Sequence, residues 1–439
     1  MIRKEKQNHP RRQSKILYIL LALGLVLWSS SAANGKRSAA KKSSLANGKP
    51  IPIKRTPSSQ TLRSMARVYM AYGEYAKAQP LVEKALTLAR RTGASDSELA
   101  MCLIDLATLY KNQGKLLDAE KMCELGLKLQ KKVLYKNHPY LAYTLSALSS
   151  IYCEQGKYYQ ANSALDEAMA VMLDGHSADD KAMAPFFVDI AKLHVAQGNL
   201  KEAERYYQKA MLLINSSYGP DHLYTAGVLG SVARLYALQG RYVEAEALIS
   251  KTLAVQKKIY GSDHHLLAPT WLTMASIYQA KKDYGQAERL LQKALVAAEE
   301  KHGSEHPVTG RVLSALGGLY VAEGKYAKAE VTCRRAVNIL QNSLGTDNDF
   351  TALALNNLAR LHINQGRYPE AQDLCQKALN TLENIFDKNH PKVADVLETM
   401  AQLNKRVGKN AEAAKLEQRV EKIRVSRQVA YAPIARATK

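Results

Sequence analysis

The residues with the plainest chemical potential are histidines that stand in a column. His138, His222, His264, His306 and His390 recur at multiples of 42 residues. Such a column could be a ladder of metal ligands. It reads better as a structural turn, because equivalent residues of repeated helices lie at least one interhelical distance apart. That distance is roughly 8–10 Å, more than two ligands of one Zn²⁺ can span. Pro139, Pro307 and Pro391 directly follow three of them, as expected at the first position of a helix. His302 and His306 have the four-residue spacing of two ligands on one helix face, but Gly303 interrupts the helix between them.

Other chemistries are equally thin. Cys102, Cys123, Cys153, Cys333 and Cys375 contain no C-x-x-C. Small buried thiols packed as hydrophobes account for them, and their odd number leaves one pairing open in an exported chain. Gly-Lys occurs at Gly114-Lys115, Gly156-Lys157, Gly324-Lys325 and Gly408-Lys409. None carries the earlier glycine and the following Ser or Thr of a phosphate loop. There is no H-E-x-x-H, no G-x-S-x-G and no strand-borne G-x-G-x-x-G. The chain is therefore expected to be neither an enzyme nor a holder of a metal or cofactor.

The elements that must position these residues repeat. Glycines stand at Gly73, Gly114, Gly156, Gly198, Gly240, Gly324, Gly366 and Gly408, with Lys282 in the remaining place. The spacing is 41 once and 42 thereafter. Five residues after each comes an alanine: Ala78, Ala119, Ala161, Ala203, Ala245, Ala287, Ala329, Ala371 and Ala413. Eight residues before each comes an apolar residue, from Met65 to Met400. Around Gly240, Leu229, Val232, Ala233 and Tyr236 precede the turn and Ala245, Leu248, Ile249, Thr252 and Leu253 follow it. Both runs have the i, i+3, i+4, i+7 spacing of an amphipathic helix. The glycine supplies a positive φ between them, and the alanine lets the two helices approach closely. A two-helix hairpin cannot bury its own apolar face, so the units must stack into an all-α solenoid of nine helix-turn-helix repeats. The last unit carries Glu417 where earlier ones carry Val82, Leu165 or Ile249, the polar outer face of a terminal cap.

The Leu…Leu-Ala…Tyr…Gly-x-Tyr…Ala pattern resembles the tetratricopeptide repeat. The period, and the segments NHPYLAYTL, GPDHLYTAGVL, GSEHPVTGRVL and KNHPKVADVL between units, resemble the subclass found in kinesin light chains and in many bacterial proteins. No heptad-bearing segment stands ahead of the repeats, so the kinship is expected to be one of repeat type and not that of a kinesin subunit. The resemblance implies a right-handed superhelix whose first helices line a concave groove where extended peptides lie. Carried over unit by unit, the groove positions six before each turn include Arg67, Lys192, Arg234 and Arg360, beside Thr108, Ser150, Ser276, Gly318 and Gln402. Arg63, Asp189, Asn356, Asn357 and Asn364 are further inward candidates. The resemblance implies that the Asn356-Asn357 pair can hydrogen-bond a peptide backbone.

The charge supports this division. The chain has 439 residues, 62 Lys+Arg and 40 Asp+Glu, a formal net charge of +22. Residues 1–57 hold 13 basic and one acidic side chain, and residues 418–439 hold six and one. The excess is thus terminal, the repeats are nearly neutral, and no nucleic-acid partner is expected. Residues 1–33 combine a basic stretch, the apolar run Ile16–Trp28 and a small-residue end at Ser31 and Ala33. That is the pattern of a secretory signal peptide, or of an uncleaved membrane anchor. Residues 34–57 read as a basic flexible linker, 58–423 as nine repeats and 424–439 as a basic tail. The expectation is an exported interaction scaffold, periplasmic, envelope-bound or secreted, that takes protein or peptide ligands with acidic segments. It would touch a membrane only through an uncleaved amino terminus. The alternative is attachment to an anionic polymer or lipid through the basic ends.

Overall fold

The computed structural model describes residues 57–429, apart from residue 72, residues 175–179 and residue 387. The expected signal, the expected linker up to residue 56 and the tail from residue 430 on lie outside the described residues. Eighteen α-helices follow one another in pairs, and no strand occurs among the described residues. Unit 1 is α1 (Ser59–Ala71) and α2 (Tyr75–Arg91), unit 2 is α3 (Asp96–Asn112) and α4 (Leu116–Val133), and unit 3 is α5 (Pro139–Gln155) and α6 (Tyr158–Leu173). Unit 4 is α7 (Ala184–Gln197) and α8 (Leu200–Tyr218), unit 5 is α9 (Leu223–Leu238) and α10 (Tyr242–Tyr260), and unit 6 is α11 (Ala268–Ala280) and α12 (Tyr284–His302). Unit 7 is α13 (Pro307–Glu323) and α14 (Tyr326–Leu344), unit 8 is α15 (Asp349–Asn364) and α16 (Tyr368–Ile385), and unit 9 is α17 (Pro391–Arg406) and α18 (Asn410–Val429). Among the described residues, no helix is long and apolar enough to cross a membrane.

The repeat register is visible in the backbone. Every turn glycine has a positive φ, and Lys282, at φ 62°, is the one non-glycine described residue that does. The nine alanines five residues on are all fully buried at the crossing of the two helices. Met65, an apolar register position, is 44% exposed, and no unit precedes unit 1 among the described residues.

The histidine column caps helices. Nδ1 of His138, His222, His306 and His390 accepts the backbone N–H two residues on, at 3.1–3.2 Å. His264 does the same for Leu266. Asp180 and Asn348 fill the same register position with the same bond. Short 3-10 turns, Lys181–Met183 and His265–Leu267, precede α7 and α11. Pro185 and Pro269 lack the amide hydrogen that a continuous α-turn would need there.

Neighbouring units are braced by a charged ladder. Lys157, Arg241, Lys325 and Arg367 each reach back to a glutamate of the preceding unit: Glu120, Glu204, Glu288 and Glu330. The capping unit is polar outside, with Glu417 half exposed and paired to Lys405 at 2.5 Å. Burial of Val420 and Ile423 carries α18 through Val429, so the first residues of the expected tail are helical. There Arg424 pairs with Glu398 at 2.6 Å.

The solenoid winds back onto itself. The turn of unit 1 meets the junction of units 6 and 7, where Lys301 pairs with Glu74 at 2.9 Å. Gly114 of unit 2 lies against Asn348 and Asp349 of unit 8, and Gly156 of unit 3 against His390 of unit 9. Leu116 shares an apolar cluster with Leu319, Ala352 and Leu355. One superhelical turn therefore takes about six units.

Candidate functional site

The first helices present one row of residues to the groove, six before each turn. None of the nine is buried, which fits a face open to solvent. The row behaves differently in its two halves.

In units 1–4 the candidates already have partners within the solenoid. Arg63 is buried, and its Nε–H donates to Asp105 Oδ2 at 2.5 Å, while Arg67 donates to Oδ1 at 2.7 Å. Asp189 accepts from the Ser146 hydroxyl at 2.5 Å and from Lys192 at 3.0 Å. The groove walls partly desolvate Lys192, which lowers its pKa, but Asp189 beside it more than offsets that and leaves it above the usual lysine value. Lys111 adds a bond to Ser150 and an ion pair to Glu154.

These pairs follow one rule. The residue ten before a turn meets the residue nine before the next turn, as in Arg63–Asp105, Ser146–Asp189 and Ser314–Asn357. Asn357 donates to both the carbonyl and the hydroxyl of Ser314. Asn356 breaks the pattern. It is 6% exposed, and its Oδ1 has no hydrogen-bond partner among the described residues.

In units 7–9 the groove deepens to a cavity of about 460 Å³. Asn356, Asn357, Arg360 and Gln402 line it, joined by Arg311, Ser314, Asp395 and Thr399. Leu340, Phe350 and Leu353 supply apolar wall, with Leu272 reaching in from unit 6. The Arg311 guanidinium lies 4.0 Å from the centre of the Phe350 ring, within cation–π range. Desolvation lowers its pKa, against the pull of Asp349. Arg360 is exposed and makes no ion pair among the described residues, and the same holds for Arg234 two units and more away. Asn364 is exposed but does not line the cavity.

The structure thus gathers Asn356, Asn357 and Arg360, ties Arg63 and Arg67 to Asp105 and Lys192 to Asp189, and leaves Arg234 and Asn364 apart. Sequence reasoning passed over Arg311 and Asp395. Both stand thirteen before a turn, two helical turns ahead of the row and on the same face. Reading that second row would have found them.

The remaining nucleophiles and ligands take other parts. All five cysteines are free thiols. Burial pushes Cys123, Cys153, Cys333 and Cys375 up to about 12, so none is a ready thiolate at neutral pH. Among the described residues no group of three His, Cys, Asp or Glu side chains could hold a metal ion. His302 and His306 stack at 4.7 Å between ring centroids.

Comparisons with known proteins agree on the architecture. A family model described as Tetratricopeptide repeat matches residues 183–258, 224–295, 266–342, 311–373 and 350–424. One described as MalT-like TPR region matches residues 56–219. No curated protein matches the chain. Among solved structures, a Rap protein complexed with Competence and Sporulation Factor is similar at 14% identity and TM-score 0.59, over 85% of this chain and 99% of that one. RapI in its apo form is similar at 17% identity and TM-score 0.47, over 65% and 97%. BtubC (BKLC) from P. vanneervenii is similar at 18% identity and TM-score 0.40, over 52% and 90%.

Proposed function

The chain belongs to the tetratricopeptide repeat family, and from that premise we propose that it is a scaffold that binds an extended protein or peptide segment in its groove. The observation that carries the reading is the cavity of units 7–9, with the unpartnered Asn356 Oδ1 in its wall. A buried acceptor without a donor costs free energy, about 1–3 kcal/mol, which a ligand N–H recovers. A peptide backbone carries such donors at regular intervals. Arg360 and Arg311 favour a carboxylate, from an acidic side chain or a chain end, through charge-assisted bonds. The Leu272, Leu340 and Phe350 wall takes an apolar side chain. The Rap protein that shares this fold was solved with Competence and Sporulation Factor bound.

The proposal is one of binding and not of catalysis. It also places the scaffold outside the cytoplasm, on the strength of the basic, apolar and small-residue pattern in residues 1–33. A photo-crosslinking residue at Gln402, in the cavity, should capture a partner in cells. The same residue at Val243, exposed on a second helix, should capture none. Equal capture from both positions would remove the groove from the account.

A further inference from the structure

We infer that the contacts between units about six apart form a latch, which holds the superhelical turn wound shut and whose release widens the groove. The latch has three parts. The first is ionic: Lys301 Nζ lies 2.9 Å from Glu74 Oε1, while Lys77 holds the other oxygen of that carboxylate at 2.7 Å. Glu74 is only 14% exposed. The second is polar: Nδ1 of His390 accepts the Lys392 amide, so Nε2 carries the proton and donates to the Glu154 carbonyl at 3.2 Å. This bond needs a close approach. Gly156 stands at φ +79°, and a Cβ there would lie 2.9 Å from Cδ2 of His390. The Phe386 ring stacks on the same imidazole at 4.0 Å and holds it against the seam. The third is apolar: Leu116 is buried among residues of units 7 and 8.

These contacts are few and mostly polar. Part-exposed ion pairs contribute about 0–1 kcal/mol each. Each unit of a solenoid is held chiefly by its sequence neighbours. Opening the latch therefore leaves the units folded, and the closed and open turns are two states of one folded chain. The latch also reaches the cavity. Asp349, which lies against Gly114 across the seam, pulls on Arg311 of the cavity wall. On the groove-binding reading, a ligand carboxylate at Arg311 shifts the latch, and the latch reciprocally shifts ligand affinity. The latch itself stands without that reading, because it is a property of the free chain.

The test uses the full chain without ligand. Nitroxide labels at Ala76→Cys and Glu305→Cys, on the two sides of the seam, report the distance across it. The otherwise unchanged chain should give one short, narrow distance distribution. Lys301→Glu combined with His390→Ala should give a longer, broader one, with the helical circular dichroism signal unchanged. Adding Glu74→Lys to Lys301→Glu restores an opposite-charge pair and should recover the short distance. Identical distributions in the unchanged and latch-broken chains would overturn the inference. So would opening that occurs only with loss of helix, since the seam would then be part of the cooperative fold. Neither result would bear on peptide binding.

Discussion

The Nε–H of Arg63 donates to Oδ2 of Asp105 across two adjacent units, with 7% and 6% of the side chains exposed. Arg67 takes the other carboxylate oxygen at 2.7 Å. One buried carboxylate is therefore shared by two guanidiniums. Removing one member of a buried pair leaves an uncompensated charge, at about 3–5 kcal/mol. Asp105→Ala should lose that much from the unfolding of units 1 and 2 in urea. Arg67→Ala, at a more exposed position, should lose about 1 kcal/mol. A loss below about 1 kcal/mol for Asp105→Ala would mean that the pair does not hold the amino-terminal units together.

Gly317 of α13 packs tightly against α14. A Cβ there would lie 2.5 Å from the Cys333 sulfur. Gly317→Ala should cost about 1–3 kcal/mol by overpacking. Cys333→Ala, which removes the obstructing sulfur, should recover part of that cost in the double variant. A double-mutant cycle on urea midpoints checks it, and strictly additive effects would refute the contact.

Lys282 pays a conformational cost at φ 62° that the turn glycines do not. Lys282→Gly should gain about 0.5–1 kcal/mol, the steric relief being partly offset by glycine's greater freedom in the unfolded chain. A thermal melt that shifts down and not up would contradict this.

A cluster of imidazoles makes the fold acid-sensitive. His264, His265, His302 and His306 stand ring to ring across the two junctions that flank unit 6, at centroid distances of 4.3, 5.6 and 4.7 Å. Lys301 and Glu74 face the cluster. Burial, then neighbouring positive charge, drops His265 to about 4, and burial lowers the other three. Folded values below the ordinary 6.5 mean that the unfolded chain takes up protons first. The stabilisation is complete above about pH 6.5 and is lost as pH falls toward 4, with His265 accounting for about 2–3 kcal/mol. The urea midpoint should fall between pH 7.5 and 5, and His265→Gln should flatten that fall. A pH-independent midpoint would contradict it.

Much of the architecture was legible because nine copies impose one register. A single glycine, alanine or apolar residue says little. The same residue at one offset in every unit specifies a turn, a helix crossing and a core face. Lys282 shows how firm the register is, since the turn keeps its left-handed conformation with the wrong residue in it. The histidine column was legible as a turn, although its capping bond, shared with Asp180 and Asn348, was not. The groove row was legible as a face. Which members of the row stay available was hidden by the offset between units: Arg63 is spent on Asp105 because position ten of one unit meets position nine of the next. Asn356 stands out only when that pairing is known. The seam was beyond reach, because Glu154 and His390, 236 residues apart, meet only when small rotations sum over about six units.

The measurement that bears most directly on groove binding is the affinity of one peptide for three proteins. Peptides selected from a random display library on the full chain provide the probe. Their affinities for the unchanged chain, Asn356→Leu and Arg360→Glu are then compared by calorimetry. Loss of a charged hydrogen bond or of a buried acceptor should weaken binding by about 1.5–3 kcal/mol, roughly tenfold or more, in each variant. Equal affinity for all three proteins would contradict the account.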